Sequence, residues 1–486
     1  MTARFPDNPD TSPPDAERLL LAWAGVGAVL LGCASALAVF SGYFDYAIFL
    51  KDKPSLMLAA GLAGAGLAFS LLLPLLHWTD RAGMGGDWRL IALIVAVGFA
   101  LRLALLGSAA ALEDDWYRYL WDGAVTAHGA NPYAVSPDEA QGEAFAGSLQ
   151  LLAHESGVVI ERINHSQLKT IYPPVAQAGF ALAYWMQPWS LESWRAVCLV
   201  AEVVTLVLIF ALLGTVLRPA AWAAVYWWNP IVVKELVNSA HMDALLMPFV
   251  LGGLLLAVRG WRVSACGLLA LAAGVKIWPV ILMPLVLRPL WSDRAAVLRV
   301  TALVVVVLGL IAWPVLAGGL DETSGFRAYA QRWQTNNAVF PVVADLLRGL
   351  LTSWGVPVST SALAARGLFA TALAIVIALV VRTPLSGPQD EVRRAALIVT
   401  ALLLLSPAQF PWYLVWVLPL ACVHPWRGFF AATVLLPIYY AGFHYLAIDD
   451  YRMFARVIVW LIWLPIFAAF LLDVREARRP REAPHA

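Results

Sequence analysis

Charge is what this chain has little of. Of its 486 residues only 13% are Asp, Glu, Lys or Arg, while 61% are hydrophobic and the mean hydropathy is +0.73. A soluble domain carries about 25% charged residues, so that class is excluded. The net charge of +1 offers no basic face for nucleic acid. Cysteines number four, at 33, 198, 266 and 422. All fall in apolar segments, with neither metal-ligand spacing nor a disulfide framework. There is no phosphate-cradling P-loop and no dinucleotide fingerprint. Cleavable-signal chemistry is missing as well: the stretch 1–17 is polar and proline-containing, and is read as a disordered tail. No internal repeat is discernible.

What is present is a series of apolar stretches long enough to cross a bilayer. They lie at about 19–42, 55–77, 90–110, 194–217, 222–236, 242–258, 263–287, 300–320, 362–381, 395–409, 411–424, 428–446 and 455–472. A weaker one covers 173–189. The expected fold is therefore an all-α polytopic membrane protein with about 12–14 membrane segments, since open backbone cannot be satisfied by lipid. A single integral domain spans 18–472, and 473–486 forms a basic cytoplasmic tail.

Basic residues mark the cytoplasmic side. Arg81, Arg89, Arg218, Arg259, Arg262, Arg288, Arg294, Arg299, Arg382, Arg393, Arg394 and Arg427 assign it, which puts the polar loops 108–172 and 321–360 outside. Three places resist this counting. Segment 173–217 holds two apolar pieces but must cross once, 263–287 begins and ends beside basic loops, and 395–424 is short for two spans. At about 1.5 Å per residue, its turn at 407–411 is expected to lie in a protein-lined cavity.

Polar groups collect on the outer side of this topology. Glu113, Asp114, Asp115, Tyr117 and Arg118 stand in the first long loop, with Asn164, His165 and Tyr172 further along it. Lys234, Glu235, His241 and Asp243 mark an outer hairpin, and Lys276 interrupts an uncharged stretch. Arg327 and Arg332 belong to the second loop; Gln409, Trp412 and Tyr413 belong to a late turn. Bland readings accompany each. An acidic run suits any helix N-terminus, Asp122 suits a turn, His165 and His241 suit ordinary loop hydrogen bonds, and Asp243 suits a cap. Lys276 could snorkel, Glu202 could be a packing contact, and Trp412 and Tyr413 could sit in an aromatic belt.

The pattern resembles the GT-C superfamily of membrane glycosyltransferases, and within it the bacterial glycosyltransferase family 87 of polyprenol-phosphate-mannose-dependent mannosyltransferases. The resemblance rests on Glu113-x-Asp115, Gly129-Ala-Asn-Pro-Tyr133, Ile163-Asn-His165, Thr170-Ile-Tyr-Pro-Pro174, Asn229-Pro230, His241-x-Asp243, Lys276-Ile-Trp-Pro279 and Trp412-Tyr413. It covers about 90–425; two spans precede the first helix of that pattern. It implies hexose transfer, with mannose from the resemblance alone, from a polyprenyl-phosphate sugar to a glycolipid or lipid-linked glycan. The implied setting is the bacterial inner membrane, with the site facing the periplasm.

The residues fit that chemistry on their own terms. An outward-facing site without a nucleotide motif needs a donor already in the membrane. The acceptor hydroxyl needs a general base, expected to be Asp115, with Asp114 the competitor and Glu113 in the same run. One carboxylate and no covalent intermediate means inversion. The departing phosphate needs cations, for which Arg118, Lys234, His241, Lys276, Arg327 and Arg332 are candidates. No cofactor is expected, a divalent metal at the acidic pair being the open alternative. A transporter or flippase of lipid-linked sugars is the competing class, and a non-catalytic envelope-assembly partner is a third.

Overall fold

The computed structural model describes residues 15–142 and 147–478; residues 1–14 of the expected tail and 479–486 of the basic tail lie outside them. Among the described residues every regular element is helical, and the one β-contact is an isolated bridge between Thr335 and Ala408. The first helix starts at Ala16, capped by the Asp15 side chain. The last runs on to Arg478, so both helices extend past the boundaries expected for the tails.

Among the described residues eight helices are long and apolar enough to cross a membrane: Ala16–Phe44, Ser55–Arg81, Trp88–Leu105, Leu191–Thr215, Arg294–Ala317, Thr360–Val381, Arg427–Ala447 and Tyr451–Glu476. Four shorter helical stretches, 220–238, Asp243–Val258, Pro388–Leu405 and 411–423, lie between them along the chain.

One end of the bundle is held by arginines. Arg288 Nε donates to Val381 O (2.9 Å) and Arg394 Nη1 to Val380 O and Thr383 O (2.9 and 2.8 Å). These guanidinium groups satisfy the carbonyls left open where the Val358–Val381 helix stops. At the same end Arg262 pairs with Glu391, and Arg427 pairs with Glu476 at 2.8 Å.

That frame settles the ambiguous segments. Residues 262–287 do not cross. The Arg262–Ala273 helix rises from the arginine end, the chain turns at 274–277, and Trp278–Leu287 returns until Arg262 Nη1 reaches Val286 O at 3.4 Å. Gly274 and Lys276 thus form the tip of a re-entrant hairpin. Likewise 173–189 makes no net crossing. Pro174–Met186 starts against that tip, with Val175 N bonded to Gly274 O (2.8 Å). The next helix, Leu191–Thr215, starts again at the same end, where Trp194 Nε1 donates to Ala240 O (2.7 Å).

The segment expected as one span over 222–236 is instead four short pieces broken at Asn229-Pro230. Proline removes a helical donor and clashes with the preceding turn. The broken backbone is tolerated because protein surrounds it. Asn229 accepts from Ile231 N (2.9 Å) and donates to Thr433 Oγ1 (3.0 Å). Trp227 and Trp228 donate to Val95 O and Ile94 O at 3.2 and 2.8 Å. Beside them Arg102 and Glu202, both fully buried, pair at 2.7 Å, with Tyr226 donating to the same carboxylate. Glu202 is therefore a packing contact, as its bland reading held.

Candidate active site

The end opposite the arginines encloses a cavity of about 670 Å³. Its walls come from segments far apart in the chain: the 112–119 run, 164–173, the start of the Asp243–Val258 helix, the hairpin tip at 275–278, 325–333, 402–416, and Tyr439 with Phe443. Volumes of about 300–1,000 Å³ suit a small-molecule ligand.

The acidic run is placed by its neighbours. Asn238 Nδ2 donates to Ser108 Oγ (2.8 Å) and its Oδ1 accepts from Ala111 N (3.0 Å). Leu112 turns through φ +59° immediately before Glu113. Asp115 then opens the Asp115–Ala127 helix, where negative charge is favoured. The three acids end in three environments. The Glu113 side chain is nearly buried at the cavity's edge, 7% exposed, whereas that of Asp115 is 35% exposed at the cavity wall. Asp114 also lines the cavity but is bound by Asn164 Nδ2 at 2.6 Å. Burial, reinforced by the Asp115 charge, raises Asp114 to about 7. Burial likewise pushes Glu113 well above the usual carboxylate range, against the pull of Lys234.

Across the cavity stands Lys276. Its Nζ lies 2.9 Å from Asp243 Oδ1, which also accepts from Trp416 Nε1 at 2.5 Å. The ammonium rests over the rings of Tyr413 and Trp416, at 4.5 and 4.8 Å from their centroids. Asp243 is thus an orienting partner for Lys276 rather than a helix cap. Tyr413 and Tyr329 share a hydroxyl contact of 2.7 Å, and Trp333 packs edge-on to His165 at 4.8 Å.

Residues 22–292, more than half the chain, match the family model described as alpha-(1->6)-mannopyranosyltransferase, N-terminal domain. The chain belongs to this family. Membership supports a mannosyltransferase activity and agrees with the GT-C resemblance drawn from the motifs. No curated protein and no solved structure matches the chain. The matched span holds the acidic run and Lys276 but stops before 325–333 and 402–416, which complete the cavity.

Of the residues singled out in the sequence of this family member, Asp114, Asp115, Glu113, Arg118, His165, Tyr172, Asp243, Lys276, Trp412 and Tyr413 line the cavity. Lys234 and His241 lie buried behind Glu113, their nitrogens 3.9 and 3.8 Å from its carboxylate. Others stand apart. Tyr117 turns away to accept from Arg162 (2.8 Å) and stacks on Trp116. Gln409 is buried and donates to Leu403 O and Leu404 O, both at 3.0 Å. Arg327 and Arg332 are exposed, while Phe326, Tyr329 and Trp333 of the same segment supply its cavity wall.

Asp122 is no turn residue. It is buried within the helix, takes Arg118 Nε at 2.9 Å and accepts from Thr170 and Gln177. That pairing fixes Arg118 at the cavity wall.

Several contributors were missed. Glu235 was seen only as a neighbour of Lys234, yet its side chain is 2% exposed beside His241. Tyr440, Tyr329 and Trp416 carry no sequence signal, because aromatics in apolar runs read as core or belt.

Proposed function

We propose that this protein transfers a hexose, mannose by its family, from a polyprenyl-phosphate sugar to a glycolipid or lipid-linked glycan. Transfer occurs with inversion at the extracytoplasmic face of the bacterial inner membrane. The observation that carries the reading is the open carboxylate of Asp115 in a cavity that Lys276 and Arg118 also line.

The steps follow from the groups present. The acceptor hydroxyl hands its proton to a carboxylate oxygen of Asp115 as its oxygen bonds to the anomeric carbon. The bond from that carbon to the phosphate oxygen breaks, and the electron pair leaves with the phosphate. Lys276, and the Arg118 guanidinium held by Asp122, stabilise the charge gathering there. Asp243 keeps the ammonium oriented before reaction, so little reorganisation is needed. Tyr329, Trp333, Tyr413 and Trp416 give the sugar an aromatic wall. A second, apolar cavity of about 580 Å³ lies between the Ala16–Phe40 and Ser55–Ser70 helices and reaches inward to Trp228 and Lys234; it suits a prenyl chain.

Proteoliposomes holding the purified chain, radiolabelled polyprenyl-phosphate mannose and a panel of acceptors test this. Free polyprenyl phosphate together with a new glycosidic product is expected. Passage of intact donor between leaflets without bond cleavage would instead establish the flippase reading.

A further inference from the structure

Asp115 has few partners. Its Oδ2 meets Tyr119 Oη at 3.5 Å and His241 Nδ1 at 3.8 Å, and among the described residues no hydrogen bond engages Oδ1. We propose that His241 and Tyr119 are positioning residues for this carboxylate, holding Oδ2 so that Oδ1 receives the proton of the acceptor hydroxyl. Their role rests on Asp115 being the base proposed above.

His241 is the group that nothing else explains. It is fully buried, and neither ring nitrogen has a hydrogen-bond partner. Buried polar atoms are normally satisfied, so an ordinary core histidine would have found one. Nε2 lies 3.4 Å from Glu235 Oε2 and 3.8 Å from Glu113 Oε2. Those two acids are already held. Tyr440 Oη lies 2.8 Å from Oε1 of each, and Lys234 Nζ is 3.4 Å from Glu235 Oε2. The acid of the group without a firm partner is Asp115. Ionised carboxylates only accept, so the ring between them donates, with Nε2–H toward Glu235 and Nδ1–H toward Asp115.

The fold fixes both donors. The His241 ring stacks on Trp412, centroids 3.9 Å apart, and its backbone N donates to Glu235 O at 3.0 Å. Ala240 turns the chain through φ +55° just before it, and Trp194 Nε1 donates to the Ala240 carbonyl at 2.7 Å. Backbone held in this region by a residue other than glycine is strained, and such strain gathers at functional sites. Tyr119 stands four residues after Asp115 on the same helix, the spacing at which helical side chains meet. Its ring is boxed by Phe180, Tyr172 and the same Trp194, at 4.7, 5.0 and 5.6 Å between centroids. One tryptophan therefore braces both groups that face Oδ2.

Both contacts lie within about 1 Å of hydrogen-bond length, and catalytic geometry commonly tightens in the reacting complex. Precision is what they supply. The Asp115 side chain is 35% exposed, and a misplacement of about 1 Å can cost a reaction about 10²-fold in rate.

The test is single-turnover transfer in proteoliposomes, with radiolabelled polyprenyl-phosphate mannose and an acceptor that the wild type glycosylates. Tyr119→Phe keeps the ring and loses one oxygen, and should slow the chemical step about 2–10-fold. His241→Leu should slow it about 10²-fold with KM near wild type. His241→Asn, whose amide nitrogen can donate in place of Nδ1, should recover most of that loss. Because both residues act through Asp115, neither Tyr119→Phe nor His241→Leu should slow Asp115→Asn any further. Added slowing in that background, no recovery in His241→Asn, or a wild-type rate in Tyr119→Phe or folded His241→Leu while Asp115→Asn is slow, overturns the positioning role. Should His241→Leu not fold, Tyr119→Phe alone and combined with Asp115→Asn decides the matter. A wild-type rate in Asp115→Asn overturns the base itself, so the two failures are told apart.

Discussion

Lys276 sits at the tip of a hairpin that enters and leaves from the arginine end, and its ammonium meets Asp243 at 2.9 Å. A lysine placed so deep in an apolar chain is costly without a task, and the pair presents it to the cavity. Lys276→Met should lower kcat by about 10²–10³-fold if the ammonium stabilises the departing phosphate. Lys276→Arg should restore part of the rate. Steady-state kinetics with the reconstituted protein checks both; a Lys276→Met enzyme with unchanged kcat removes the leaving-group role.

The Arg102–Glu202 pair is a different kind of charge, sealed among helices and away from the cavity. Removing one partner of a buried pair costs about 3–5 kcal/mol. Glu202→Ala should thus destabilise the folded chain by that order, while kcat per folded molecule stays near wild type. Denaturation in mixed micelles, with activity normalised to folded protein, reads the two effects separately.

The Gly129–Tyr133 motif should prove structural. Asn131 Nδ2 donates to Pro314 O (2.9 Å) and Tyr133 Oη to Tyr172 O (2.7 Å). At Gly318 an added Cβ would lie 2.4 Å from Tyr133 O, a clash with backbone that cannot be relieved cheaply. Gly318→Ala should cost about 1–3 kcal/mol as an overpacking change, and Tyr133→Phe about 1 kcal/mol for one hydrogen bond. Thermal unfolding of the two variants checks the order.

A second clamp joins the two outer loops. Lys169 Nζ meets Asp321 Oδ2 at 2.5 Å, and Lys169 N donates to Thr323 O at 2.8 Å. The lysine, with Thr323 adding its hydroxyl, holds Asp321 down to about 2. A depressed carboxylate stabilises above its ordinary value and loses that contribution as pH falls through the folded value. Amide exchange over 319–326 should therefore be insensitive to this pair from pH 7 to about 4, after allowing for intrinsic exchange rates. Asp321→Asn should speed exchange there at neutral pH.

The helical class and the charged part of the cavity lining, Lys169 excepted, were legible in the sequence, because charged residues in a hydrophobic chain are informative wherever they stand. Asp115 and Lys276 could be selected that way. The paths of 173–189 and 262–287 could not. Hydropathy records the length of an apolar piece but not whether it turns back, and that is decided by contacts such as Val175 N to Gly274 O. Tyr440 and Trp416 were invisible for a related reason. An aromatic in an apolar helix has the same local pattern whether its polar atom meets a carboxylate or nothing. Arg327 and Arg332 were overread, since their helix turns its aromatic residues to the cavity and leaves the arginines outside.

Single-turnover transfer by Asp115→Asn and Asp114→Asn, measured side by side in proteoliposomes, tests the central claim most directly. Asp115→Asn should slow the chemical step by about 10²–10⁴-fold, the range for losing a general base. Asp114→Asn, whose carboxylate is already engaged by Asn164, should stay within about tenfold of wild type. A wild-type rate in Asp115→Asn, or a loss carried by Asp114→Asn alone, would contradict the account.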